Sequence, residues 1–197
     1  MKTYIALLRG INVSGQKLIK MEVLRSVLAS LNFENITTYI QSGNIIFKSK
    51  PTDHKVLEEQ ISETIEKHFG FQVPVVIVTF EDLLSVVKNN PYSNSTEIDP
   101  TQPYVAFLSD IPSDENLANL DAVDFGNDEF TSSKKSIYLH YSNTAGNSKL
   151  NIAIIENRLK VKATSRNWKT ILKLISLAEC TNSNRFYKIR SYFENIL

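Results

Sequence analysis

TTYIQSGNIIFK, residues 37–48, contains two short strand-like segments joined by a turn, and it decides the fold of the first half of the chain. Thr37–Ile40 and Ile45–Lys48 are rich in β-branched and aromatic residues, which is typical of strands. Gln41–Asn44 connects them, and its glycine can adopt the positive φ that a tight turn often requires. The stretch therefore predicts two antiparallel strands.

The residues on either side extend this pair into a βαββαβ order. Thr3–Arg9 is an apolar run that reads as a strand, and Lys20–Leu31 has apolar residues at the three- and four-residue spacing of an amphipathic helix. A second helix is predicted from about Asp53 to Gly70, a residue that commonly ends helices. The β-branched run Val73–Thr79 predicts a buried strand. One short helix follows it.

Beyond a proline-containing polar stretch the same order repeats, beginning with a strand at Tyr104–Ser109. Its last strand is expected at Val161–Ala163, and the next helix at Asn167–Leu177. The prediction is an α+β protein of two ferredoxin-like βαββαβ halves packed together, with additional helices at the carboxyl terminus. The predicted organisation is a ferredoxin-like subdomain over 1–90, a linker over 91–103, a second α+β subdomain over 104–180, and a helix or tail over 181–197.

Composition bounds the class of protein. The chain has 197 residues, of which 42% are hydrophobic and 22% charged, as in ordinary globular proteins. Cys180 is the single cysteine, so no intrachain disulfide can form, and a lone thiol fits a reducing compartment. No apolar run approaches the length needed to span a bilayer. We therefore expect a cytoplasmic protein with no membrane partner; the sequence does not specify an oligomeric state.

The net charge of +1 conceals an uneven distribution. Residues 80–130 carry one basic and eleven acidic side chains, whereas residues 149–197 carry ten basic and three acidic ones. Two interpretations are open. Either the acidic and basic segments lie close together and compensate each other, or the basic segment meets an anionic partner such as nucleic acid.

Two loops of the first half are expected to meet at one rim of its sheet. In a βαββαβ sheet with right-handed crossovers, the first and second strands are parallel and the third lies between them. The end of the first strand therefore lies beside the turn between the second and third. The polar side chains that converge there, on an anion or a carbonyl, are Arg9, Asn12, Gln41, Ser42 and Asn44. Alternatively, these residues satisfy their own turns and Arg9 pairs with a surface carboxylate.

A third polar motif covers residues 164–168. Thr164 or Ser165 can cap the helix that follows, and the free amides of that helix, with Arg166 and Lys169, form a candidate anion site in which Asn167 is a further candidate binding residue. Trp168 is either a stacking platform for a ligand or a core residue, as tryptophan more often is.

Enzyme signatures are sparse. The three histidines are scattered, and neither a metal-ligand spacing nor a nucleophile or phosphate-loop motif occurs. No metal site and no cofactor are predicted, and catalytic residues are not identified. The first and third predicted strands are apolar on both faces, which disfavours an open, RNA-stacking sheet and indicates a sheet covered on both sides.

The phrases YIALLRGINVSG, TYIQSGNIIF and ATSRNW, in this order, carry a family resemblance. The chain resembles the mainly bacterial domain-of-unknown-function family numbered 1697, over nearly its whole length to about Leu177. The family motifs fall on residues 9–13, on Tyr39 and 41–44, on Asn90-Pro91, and on Thr164 and 166–168. The resemblance implies no established activity, so it marks residues without naming a substrate.

Three hypotheses follow from the sequence. The first is a binding protein for a phosphate-bearing ligand, nucleic acid included, at the polar rim and the basic carboxyl-terminal segment. The second is a small-molecule enzyme in which Arg9 orients an anionic substrate while Asn12, Gln41 or Asn44 polarises a carbonyl. The third assigns the motifs to the fold and to the junction between the halves alone.

Overall fold

A computed structural model describes residues 1–92 and 103–181. The predicted linker 91–103 and the predicted helix or tail over 181–197 fall largely outside these residues. We call residues 1–92 the first half and residues 103–181 the second half. The elements of the first half are β1 (Lys2–Leu8), α1 (Met21–Ala29), β2 (Glu34–Tyr39), β3 (Asn44–Ser49), α2 (His54–Phe69), β4 (Val75–Thr79) and α3 (Phe80–Lys88).

The second half repeats this order, with one short 3₁₀ turn added at Ala145–Asn147. The α+β prediction is confirmed. Its elements are β5 (Pro103–Leu108), α4 (Asp114–Asp121), β6 (Glu129–Ser133), β7 (Ser136–His140), α5 (Ile152–Leu159), β8 (Ala163–Asn167) and α6 (Trp168–Thr181).

Each half contains one four-stranded antiparallel sheet. The strand orders are β2-β3-β1-β4 and β6-β7-β5-β8, which agree with the predicted ferredoxin-like wiring. Because β3 is antiparallel to both β1 and β2, the end of β1 and the β2–β3 turn share a rim. The Leu8 amide donates to the Gly43 carbonyl across 2.8 Å, so the predicted neighbourhood of these two loops is confirmed.

The two sheets share a central core. Ile5 and Leu7 of β1 pack in one cluster with Val105 and Phe107 of β5, and residues of α3 and α6 complete it. Alternate residues of β1 face the other way, toward α1 and α2. The sheet of the first half is thus covered on both faces, because a strand that is apolar on both sides must be buried on both.

The two halves correspond element by element, and their central strands β1 and β5 are offset by 100 residues. Tyr4–Leu8 (YIALL) and Tyr104–Leu108 (YVAFL) form the corresponding central strands. The Leu8 bond to Gly43 has its counterpart in the Leu108 amide, which donates to the Lys135 carbonyl across 2.9 Å. The rim of the first half therefore corresponds to the rim formed by the end of β5 and the β6–β7 turn.

The boundary between the last described strand and helix differs from the prediction. Val161–Ala163 was expected to be the strand, but β8 runs over Ala163–Asn167 and α6 begins at Trp168. Thr164 and Ser165 are therefore strand residues and do not cap α6. Asn167 does, since its Oδ1 accepts from the Thr170 amide across 2.9 Å. The prediction was wrong because Thr164 and Arg166 are polar yet buried, a pattern that hides a strand.

Candidate functional site

A buried arginine joins the two halves at the predicted rim. Arg166 projects from β8 and is only 7% exposed. Its guanidinium has five N–H groups, and all five are used. They donate to Asn44 Oδ1 (2.5 Å), Thr164 Oγ1 (2.8 Å), Ser165 O (2.8 Å), Leu8 O (2.7 Å) and Gly43 O (3.2 Å).

We call this cluster the arginine junction. Three of its five acceptors belong to the first half and two to β8, and all five are neutral. Burial lowers the pKa of Arg166 to about 10, since no carboxylate in the cluster offsets the desolvation of the cation. The guanidinium is still charged at neutral pH. With every donor occupied, it has no N–H group left for a ligand in this arrangement.

Asn44 is the partner that orients the guanidinium. Its side chain is fully buried at the start of β3. The amide donates to the Tyr39 carbonyl across 3.0 Å and to the Ser42 hydroxyl across 3.2 Å, while its oxygen accepts from Arg166. The carboxamide thus holds the β2–β3 turn on one side and the second half on the other, and its polar atoms all have partners.

Gly43 is required by two independent constraints. Its φ is +83°, in the left-handed region that disfavours side chains. A Cβ placed there would lie 2.6 Å from Leu8 Cβ and 2.8 Å from Ile11 Cδ1. The glycine lets the turn approach the end of β1 closely enough for its carbonyl to accept from Arg166.

Arg9 forms the second contact between the halves at this rim. Its guanidinium pairs with the Glu156 carboxylate of α5 and donates to the Ala163 carbonyl across 3.4 Å. Glu156 also accepts from the Ala163 amide across 2.8 Å, which fixes the carboxylate. Arg9 therefore has a carboxylate partner, as the alternative interpretation of the rim expects.

The remaining rim residues divide between a fixed amide and exposed side chains. Asn12 donates from Nδ2 to the carbonyls of Ile19 (3.0 Å) and Gln41 (2.8 Å), and its oxygen accepts from the Ile19 amide. It thereby fastens the loop after β1 to the β2–β3 turn. Gln41 and Ser42 are exposed. Ligand binding by these rim residues stays a prediction.

The motif at the start of α6 is built into the fold. Asn167 caps the helix, and Trp168 is 8% exposed within the central core, where it packs as a core residue. The eight residues singled out from the sequence therefore lie in two groups, five at the rim and three along β8 and α6. The structure brings Arg166 to the rim group, and it leaves Trp168 inside the core.

A pocket of about 350 Å³ lies between the halves at the opposite rim, the one formed by β5 and the β6–β7 turn. We call it the junction pocket. Its polar lining includes His54 from the first turn of α2, Asp82 of α3, and Ser133, Lys134, Lys135 and Ser136 around the β6–β7 turn. Val78, Val86, Phe107 and Ile111 supply much of its apolar wall. Residues from both halves are thus needed to form it.

Among the Lys and Asp side chains that line the junction pocket, Lys134 and Lys135 outnumber Asp82, so the net charge of the lining is positive. Lys135 donates from Nζ to the Ser109 carbonyl across 3.2 Å. Among the described residues neither Lys134 nor Lys135 has a salt-bridge partner. Asp82 is occupied by the cap of α3, where Oδ2 accepts from the Thr79 amide and hydroxyl. Burial is the main cause that lowers the pKa of His54, which favours the neutral form of its ring.

Sequence reasoning missed the junction pocket. Lys134-Lys135 reads as an exposed turn, and His54 and Asp82 lie 28 residues apart with no motif between them. The signal that points to it is the match of YIALL with YVAFL. Once Leu8 is aligned with Leu108, the turn after β6 becomes the counterpart of the turn after β2, and a second rim is expected there.

In the 1–92 and 103–181 segments, no group of three or more His, Cys, Asp or Glu side chains is placed to hold a metal ion. No helix within these segments combines the length and apolar character needed to cross a bilayer.

Comparisons with known proteins identify the family. The chain is similar to the conserved bacterial protein SP0830 from Streptococcus pneumoniae, with 25% sequence identity and a TM-score of 0.70 over 90% of this chain and 98% of that one. None of the curated proteins matches it. The model of a family described as "Protein of unknown function (DUF1697)" matches residues 1–138, which is well over half of the chain. The chain belongs to the DUF1697 family.

Proposed function

We propose that this protein is a cytoplasmic binding protein for a small phosphate-bearing ligand, which it holds in the junction pocket. One observation carries the proposal. Two adjacent lysines without salt-bridge partners among the described residues line a cavity between the halves. A phosphate brings several acceptor oxygens and up to two negative charges, which suit Lys134, Lys135 and the nearby serine hydroxyls.

The rim around Arg9 supports the proposal less well, because its cations are already engaged. Arg9 is paired with Glu156, and Arg166 donates to five neutral acceptors. A ligand there would have to displace contacts that join the two halves. Such a displacement costs several hydrogen bonds to a charged group, each worth about 1.5–3 kcal/mol.

Nucleic acid is the alternative ligand, and the distribution of basic residues gives it less support. Arg166 is buried, and Lys160 and Lys162 line a separate cavity with acidic residues of α2, among them Glu58 and Glu63. Within the described residues, the positive charge of the carboxyl-terminal segment is therefore divided between different environments. A polymer that needs one continuous basic surface is less well accommodated than a small anion.

The experiment compares two charge-matched double variants of the full chain. Lys134→Gln/Lys135→Gln removes both pocket cations, and Lys169→Gln/Lys173→Gln removes two exposed cations of α6. Calorimetry with inorganic phosphate is expected to show affinity lowered about tenfold or more in the pocket variant only. The same titration with a short single-stranded oligonucleotide tests the alternative.

Three results would overturn the proposal. The first is the absence of phosphate binding by the unaltered chain. The second is equal affinity in the two double variants. The third is oligonucleotide binding that weakens with the α6 variant and with added salt while phosphate binding is lacking, which would favour the nucleic-acid alternative.

A further inference from the structure

The junction pocket lies where the arginine junction would lie if the two halves were identical. In the first half β1 pairs with β4, and Val78 lies opposite Ile5. In the second half β5 pairs with β8, and Arg166 lies opposite Val105, the residue that corresponds to Ile5. Val78 is therefore the counterpart of Arg166. Val78 lines the junction pocket, whereas Arg166 fills the corresponding space at the opposite rim.

The residue that accepts from Arg166 at one rim also has a smaller counterpart at the other rim. Asn44, which binds the guanidinium, lies opposite Leu7 in the pairing of β1 with β3. Its counterpart in the pairing of β5 with β7 is Ser136, opposite Phe107. A valine and a serine thus replace an arginine and an asparagine, and the space vacated by the longer side chains contributes to the cavity. One rim is closed by the protein's own side chain, and the other is open.

The charged and apolar residues that line the junction pocket come largely from different elements of the fold. Both lysines come from the single β6–β7 turn, so the positive charge is concentrated at one side. The apolar wall comes from other elements, namely β4, α3, the end of β5 and the loop that follows it. Its members are Ile77, Val78, Val86, Phe107, Leu108 and Ile111, and Asp82 and Ser85 of α3 and Tyr138 of β7 also line the pocket. Ile111 is 61% exposed, which makes it an apolar residue open to solvent at the pocket.

From this division we infer that the ligand is amphipathic: a phosphomonoester whose anionic head meets Lys134 and Lys135 and whose compact apolar or aromatic body lies against Val78 and Phe107. The inference rests on the proposed function and specifies its ligand class. A pocket of about 350 Å³ lies at the small end of the range of small-molecule sites, which is about 300–1,000 Å³. An aryl or branched alkyl phosphate has this size.

The test titrates the full chain with three probes that share the head group, namely inorganic phosphate, methyl phosphate and phenyl phosphate. Burying a phenyl ring is expected to make phenyl phosphate bind about tenfold to a hundredfold more tightly than methyl phosphate. Val78→Arg places at this rim the residue that closes the other one. It is expected to abolish the preference for phenyl phosphate.

A milder variant keeps the test valid if Val78→Arg does not fold. Val78→Met extends into the same space without adding charge, and Val13→Met, at an exposed position of the loop after β1, is its control. We expect Val78→Met to weaken phenyl phosphate at least tenfold and inorganic phosphate by less than threefold, with no change in the control.

The outcomes separate the inference from the proposed function. Equal affinity for the three probes, lost in the Lys134→Gln/Lys135→Gln variant, overturns the amphipathic ligand and leaves the phosphate site standing. Binding of none of the probes overturns both. A preference for phenyl phosphate that survives Val78→Met and Val78→Arg places the apolar contact elsewhere and overturns the inference.

Discussion

Replacing Arg166 with methionine tests whether the arginine junction holds the two halves together. Methionine retains the apolar part of the side chain and removes the guanidinium. Five oxygen atoms then each lose one donor, among them the carboxamide oxygen of Asn44. The Gly43 carbonyl keeps the Leu8 amide and the Leu8 carbonyl keeps the Thr164 hydroxyl. Because Arg166 and Asn44 are buried, water cannot readily replace the guanidinium there.

The magnitude follows from two opposing terms. Hydrogen bonds to a charged group contribute about 1.5–3 kcal/mol each, so five of them amount to roughly 7–15 kcal/mol. Removing an arginine that no carboxylate compensates also relieves its desolvation, which costs several kcal/mol. We expect Arg166→Met to lower the free energy of unfolding by about 3–5 kcal/mol. For a chain of this length, this corresponds to a Tm lower by about 6–20 °C.

Urea unfolding followed by the fluorescence of Trp168, the single tryptophan, measures the effect. Arg166→Lys should fall between the unaltered chain and Arg166→Met, because an ammonium group has three donors and cannot reproduce the planar fork. Lys169→Met, at an exposed position of α6, is the control and should stay within about 0.5 kcal/mol of the unaltered chain. Equal stability of Arg166→Met and Lys169→Met would refute the reasoning.

Two further predictions concern the rim and the edge of the first sheet. Gly43→Ala should lower the free energy of unfolding by about 2–5 kcal/mol, since it adds a left-handed backbone penalty to an overpacked contact. Gly10→Ala, where φ is +70° and no atom lies within 4 Å of the added Cβ, should cost only the backbone penalty of about 1–2 kcal/mol; equal losses would contradict the steric argument. Glu58, whose carboxylate accepts from the Ile77 amide, has a pKa raised mainly by burial, so ionising it lowers stability as pH rises through that pKa. Glu58→Gln keeps an acceptor and should therefore stabilise the fold at pH 7 but not near pH 4. Urea denaturation of the variant and the unaltered chain at the two pH values measures this effect. The same change in the free energy of unfolding at both pH values would contradict the prediction.

The order of the elements was predictable because its signals are local. The β2–β3 turn, the cap at Asp53 and the left-handed Gly70 at the end of α2 are each set by residues within a few positions. The shared rim followed from them, since right-handed crossovers leave few ways to connect βαββαβ. Sequence patterns predict turns and helix ends well, because a particular residue type meets a backbone requirement set by neighbours within a few positions.

The arginine junction was not predictable in this way. Arg166 binds Asn44 and Leu8, which precede it by 122 and 158 residues, and no periodicity connects positions so far apart. The same long-range contacts explain the error at β8, where buried polar residues give the strand a loop-like sequence. The junction pocket was missed for a related reason, because it is made from the space between elements of both halves.

The arginine junction has a consequence for how a ligand would enter the protein. Separating the halves would leave the Arg166 guanidinium and its acceptors in the first half without their hydrogen bonds. Opening the protein at a hinge to reach the junction pocket would therefore cost much free energy. Entry then needs no more than movements of exposed side chains that line the pocket, such as Ile111, which occur in picoseconds to nanoseconds. When the cavity keeps its dimensions, little binding free energy is lost to rearrangement of the protein. The association rate of a ligand should then not be slowed by a domain motion.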